Sequence, residues 1–178
     1  MRILYRTRQF WQSVFLKTEP KRLEQVRGRF NTAQWALFTQ LQPEEQAHAL
    51  RIFYKLLEQG DDQPDLLLAA LLHDVGKLKY PLNPLERAII VLVRATLPKQ
   101  ASQWGSLPHG DWESFPGLRK AFILAENHAQ WGADLARQAG VSPLTEALIR
   151  DHQHSPPIAA GELENSLLHK LQVLDNDN

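Results

Sequence analysis

Seven histidines are spread over the 178 residues, at positions 48, 73, 109, 128, 152, 154 and 169. The doublet His73-Asp74 directly follows seven apolar residues, Leu66–Leu72. Charged groups are costly to bury without a partner, so two polar groups at the end of such a helix call for a purpose. Adjacent helix positions point about 100° apart, but at a helix end both side chains can converge on one cation. Gly76 then lets the chain turn, and Lys77 projects a positive charge just beyond it. His48 lies mid-helix in EEQAHALRIFYKLL, with Arg51 three residues on and so on the same face. His128 opens HAQWGADLARQAG, His152 ends SPLTEALIRDH, and Asp175 aligns with Leu168 and Leu171 in LLHKLQVLDNDN. Imidazole and carboxylate donors without sulfur suit Fe, Mn, Mg, Co, Ni or Zn. Such a set has room for two ions ~3.5–4 Å apart, an arrangement that hydrolyses phosphate esters.

The elements that must position these residues read as helices almost throughout, so the sequence predicts an all-α helical bundle. Period-2 alternation with β-branched residues is nearly absent. The expected helices cover 3–17, 20–40, Pro43 to Gly60, the PDLLLAALLHDVGK segment closed by Gly76, Leu85–Thr96, Leu118–Glu126, His128–Ala139, Ser142 to His152, and Gly161 onward. Ser142-Pro143 is an N-cap followed by proline at the first helical position. Residues 98–117, rich in Pro, Gly and Ser, read as a loop and the best candidate for a mobile lid.

Composition removes whole classes of function. The chain has no cysteine, which excludes disulfides, thiolate metal sites and thiol nucleophiles. Twenty basic and twenty acidic residues cancel, so this is no general polyanion binder and no specific nucleic-acid partner is expected. The longest apolar runs, Leu66–Leu72 and Ala88–Val93, fall far short of the ~20 residues of a transmembrane helix. The arginine-bearing N-terminus does not resemble a secretory signal, so a cytoplasmic location is expected. The neutrality hides an asymmetry: residues 1–37 carry +6 and residues 38–178 carry −6. A cationic amphipathic helix in residues 1–18 could make weak contact with a membrane surface. The preferred alternative docks its aromatic face on the acidic remainder.

The ordered set His48, His73-Asp74, His128, His152 and Asp175 resembles the HD phosphohydrolase superfamily. The motifs that carry the resemblance are AHALRIF, LLAALLHDVGK, ENHAQWGADLARQAGVSPLTEALIRDH and LHKLQVLDNDN. The resemblance implies an HD-type domain over 41–178, with residues 1–40 as an extra basic helical segment. It implies that His48, His73, Asp74 and Asp175 hold a first divalent ion. Asp74 would bridge to a second ion held by His128 and His152. Lys77 and Arg51 would face the substrate phosphate, with a metal-activated water as nucleophile. The implied activity is that of a metal-dependent phosphohydrolase, a phosphomonoesterase or phosphodiesterase, acting on a small-molecule phosphate ester that is nucleotide-like. No GYP-type signature follows the doublet, so cyclic dinucleotide cleavage is not expected.

Alternatives stay open at this level. His154 competes with His152, and Asp177 with Asp175. His109 and His169 are expected to be structural or exposed. Trp104, Trp112 and Trp131 could stack on a base, although packing is the commoner use of such rings. The competing functions are a metal-binding signalling or regulatory module without turnover, and a helical scaffold without metal.

Overall fold

The computed structural model describes residues 20–107, 112–154 and 161–176. The expected helix at 3–17, the surface contact through residues 1–18, and His109 and Asp177 lie outside the described residues. Among those described there are nine α-helices and no strand. In chain order they are α1 (Pro20–Arg27), α2 (Thr32–Gln40), α3 (Pro43–Glu58), α4 (Pro64–Leu72), α5 (Pro84–Thr96), α6 (Pro98–Gly105), α7 (Gly117–Gln138), α8 (Pro143–Asp151) and α9 (Glu162–Asn176). Short 3-10 turns at Val75–Lys79 and Trp112–Ser114 complete the path. No helix among them is long and apolar enough to cross a membrane.

Helix α4 is the axis of the fold. Leu66, Leu67, Ala69, Ala70, Leu71 and Leu72 are all buried. A helix that is apolar all round must be covered all round; α2, α3, α8 and α9 do so. The main core gathers Phe38, Ile52, Leu56, Leu148, Ile149, Leu168 and Leu171 about it. Full burial of each Leu or Ile side chain contributes about 1.5–3 kcal/mol. A smaller core of Ile90, Ala101, Ala121, Phe122 and Ala125 joins α5, α6 and α7. The 3-10 turn after α4 lies flat on α7.

Local signals set several boundaries. Pro43, Pro64, Pro84 and Pro143 each stand in the first turn of a helix, where the missing N–H is not needed. Asn83 and Glu86 form a capping box on α5, and the Ser142 hydroxyl accepts from Thr145 N–H on α8.

Four expectations need correction. The helix expected to close at Gly76 ends at Leu72, and the chain continues into the 3-10 turn Val75–Lys79 that packs on α7. The single helix expected over 20–40 is broken after Arg27. Asn31 caps α2 in a capping box with Gln34, and its amide also donates to Ala139 O at 2.9 Å, so a tertiary anchor stops the first helix. Residues 98–105 are helical rather than part of a loop, because Ala101 and Gly105 bury against α7 and give α6 an apolar stripe. Helix α7 runs unbroken through position 127. The Asn127 amide donates to Gly105 O at 2.9 Å and Ile123 O at 2.8 Å, which ties α7 to α6 instead of capping a new helix.

Candidate metal centre

The histidines and aspartates of the ordered set come from five helices or from the residues just after them. His73 closes α4: its N–H still bonds Ala69 O at 2.8 Å, and the chain then tightens into the 3-10 turn after Asp74. His128 projects from the middle of α7 and His152 follows α8. Asp175 lies in the last turn of α9, which would fray if left alone. Gln172 pins that turn by donating to Asp151 O at 3.1 Å and His154 O at 2.7 Å, while Leu171 and Leu174 are buried. His48 comes from α3, whose buried stripe is Ala49, Ile52, Phe53 and Leu56.

Two triads result. His48, His73 and Asp175 form one; Asp74, His128 and His152 form the other. Within each, the donor atoms lie within 4.8 Å of one another. In the first, His48 Nε2 and His73 Nε2 are 3.2 Å apart, and Asp175 Oδ1 is 2.9 Å from one and 3.5 Å from the other. Asp74 stands between the triads. Its Oδ1 faces His128 Nε2 at 3.4 Å, and its Oδ2 faces His73 Nε2 at 3.4 Å and His48 Nε2 at 4.0 Å.

The backbone orients the rings. Nδ1 of His73, His128 and His152 lies 3.0, 3.2 and 2.6 Å from the carbonyls of Ala70, Leu124 and Ile149. A proton held on Nδ1 by a carbonyl leaves Nε2 as the ligand atom. Nε2 of His128 and of His152 is buried without a hydrogen-bond partner among the described residues. Orphaned buried nitrogens of this kind need an occupant, and a divalent cation fits both the vacant lone pairs and the imidazole–carboxylate donor set. His48 differs: Arg51 Nη2 donates to its Nδ1 at 3.2 Å, and its Nε2 faces Asp175 Oδ1 at 2.9 Å.

Charges in the centre are strongly coupled. Burial works against a charged His73, but Asp74 and Asp175 outweigh it and raise it to about 10. Burial, together with His73 and His128, drives His152 down to about 3, so it is neutral. Burial opposes ionisation of both aspartates. Lys77 and His73 nevertheless hold Asp74 well below the usual carboxylate range, and His48 and His73 do the same for Asp175.

The consequence for the chelator-treated protein has a definite sign. A raised histidine stabilises fully below its unfolded value of 6.5, and that contribution fades as pH rises through about 10. The depressed aspartates stabilise above their unfolded 3.8 and lose that contribution on acidification. His152 acts in the opposite sense: held down to about 3, it stays neutral while the unfolded imidazole protonates below 6.5, which costs stability on acidification. Urea midpoints of ion-free protein should therefore peak near pH 6.5 and fall on both sides. The proton on His73 also competes with a cation, so ion affinity measured by calorimetry should climb with pH toward 10. An affinity that is flat over this range would contradict the charge assignment.

The remaining sequence-selected residues fall as follows. His154 and His169 are exposed. Lys77 Nζ bonds Asp74 Oδ2 at 2.7 Å and Glu45 Oε2 at 2.9 Å, so it is engaged with a carboxylate of the centre. Trp104 lies edge-on to Phe122 and Trp112 packs on Trp131. None of the three tryptophans lines the cavity of about 550 Å³ that opens beside His152 and Asp175. That cavity is walled by Arg94, Glu126, Gln153, His154, Gln172 and Asn176. Sequence reasoning passed over Glu45 and Arg94. Glu45 reads as an ordinary first-turn acid of α3; its signal was the spacing of three before His48, which puts it on the same face.

No curated protein and no solved structure matches the chain. The family model described as HD domain matches residues 46–177, a span that holds every member of both triads. With that match over most of its length, the chain belongs to the HD domain family, within the metal-dependent phosphohydrolase superfamily.

Proposed function

We propose that this protein hydrolyses a small phosphate ester at a centre of one or two divalent ions held by His48, His73, Asp74, His128, His152 and Asp175. The observation that supports it most is Asp74, with one carboxylate oxygen turned to each triad. When bound, such ions polarise phosphoryl oxygens and make water acidic enough to supply hydroxide near neutral pH.

The chain's own residues do the rest. The carbonyls of Ala70, Leu124 and Ile149 fix three imidazoles. Lys77 and Arg51 bring positive charge to the edge of the centre, where the phosphate would lie, and charge of that sign stabilises a transferring phosphoryl group. The cavity beside His152 and Asp175 has the volume for an organic group of nucleoside size. Its amide, carboxylate and guanidinium walls suit a polar group with hydroxyls or ring nitrogens. A nucleotide held there would be recognised by hydrogen bonds rather than by stacking on the tryptophans.

Protein purified without a histidine tag should carry one or two equivalents of transition metal. It should turn over a generic phosphomonoester or phosphodiester. Failure to take up Mn, Fe, Co or Ni removes the proposal; uptake without turnover on any ester leaves a regulatory module. His128→Ala should lower the metal content by about one equivalent, because it removes one of three donors from the second triad only. An unchanged metal count would mean a single ion.

A further inference from the structure

Glu45 is a carboxylate only 6% exposed, on the first turn of α3. Its two oxygens are divided between two cations. Oε2 takes Lys77 Nζ at 2.9 Å, and Oε1 takes Arg87 Nη1 at 2.7 Å. Arg87 is in turn anchored on Gln42 at the start of α3. Lys77 therefore has two carboxylates within hydrogen-bond reach, Asp74 on the centre and Glu45 away from it. The Lys77 contact is to Oδ2 of Asp74, the oxygen that also faces His73 and His48. A cation drawn to the first triad and Lys77 thus compete for one oxygen. Two positive charges a few ångströms apart in a buried site repel strongly, so Lys77 needs another anion within reach.

We propose that Glu45 is a positioning carboxylate that takes over Lys77 when a divalent ion claims Asp74, so that the Lys77–Glu45 pair sets how tightly the centre holds its ion. Arg87 holds Glu45 in place whichever partner Lys77 favours. The inference rests on the reading that Asp74 is an ion ligand. It adds a residue outside both triads with an effect of its own on affinity. It also assigns opposite signs to two substitutions that would look alike if the ion pair were merely structural.

The test is Mn binding to chelator-treated full-length protein, measured by calorimetry, with thermal denaturation of each variant alongside. Glu45→Gln should weaken Mn affinity by at least about tenfold, the scale of losing a partner outside the ligands. Glu45→Asp should recover most of that loss. Lys77→Gln should bind Mn several-fold more tightly than the wild type, since it removes the competitor and leaves Glu45 paired with Arg87. If Glu45→Gln does not fold, the sign of the Lys77→Gln change decides. Affinity unchanged in Glu45→Gln, or unchanged or weakened in Lys77→Gln, overturns the inference while leaving the metal centre intact. A wild type that binds no Mn, Fe, Co or Ni fails at the earlier step, and the proposed function falls with it.

Discussion

Replacing Asp74 with asparagine is expected to empty both triads of tightly held metal and to lower phosphoester turnover by at least about a thousandfold, equivalent to about 4 kcal/mol of transition-state stabilisation. The two effects share one cause. Asp74 is 2% exposed, and its carboxylate is the group that faces both His128 and His73. Asparagine keeps the shape but removes the charge that makes a divalent ion welcome in a buried site. It also withdraws the largest influence that keeps His73 protonated in the ion-free protein. That loss should lower the stability of chelator-treated protein by about 3 kcal/mol. This is the low end for breaking a buried pair, because Lys77 still has Glu45. Elemental analysis, an ester hydrolysis assay and urea denaturation measure the three consequences separately. An Asp74→Asn variant that keeps its full metal load would refute the bridging role even if its activity were lost.

The second large effect comes from a residue that makes no contact through a side chain. A Cβ added at Gly76 would lie 1.9 Å from His128 O, 2.7 Å from Gly132 N and 2.8 Å from His128 C. All three are backbone atoms of α7 and none can swing aside. Gly76→Ala must push the 3-10 turn off α7, at the point where α7 supplies His128. Overpacking usually costs about 1–3 kcal/mol, and contact with rigid backbone belongs at or above the top of that range. A melting temperature lower by about 6–12 °C is expected for a chain of this size. Any ion held by Asp74, His128 and His152 should be lost with it, since His128 and Asp74 lie on opposite sides of the contact. Gly28→Ala is the control: a Cβ there has nothing within 4 Å. Equal melting temperatures and metal loads in Gly76→Ala and the wild type would sink the argument.

The same glycine shows how far sequence reasoning reached. The sequence suggests that Gly76 lets the chain turn, but the glycines with positive φ among the described residues are Gly60 and Gly140. What position 76 needs is the absence of a side chain against a helix that begins only at Gly117. Nothing local in HDVGK encodes that distant contact. The order of histidines and aspartates, the all-helical class and the helix starts at Pro43 and Ser142-Pro143 were legible because they depend on apolar spacing and capping within one turn of the residue concerned. The choice between His152 and His154 was not. Adjacent turns of one chain look alike until the fold buries one ring at 2% and leaves the other exposed.

The sequence alone therefore determined which residue types could bind a cation and where most of the helices lie, since residue chemistry and local hydrogen bonding go that far. Tertiary structure decided the rest. It broke the helix at Asn31, extended α7 through Asn127, made a helix of 98–105 and provided Lys77 with a second carboxylate. Each of those outcomes depends on a group brought near by packing from a distant part of the chain, and no window of sequence contains it.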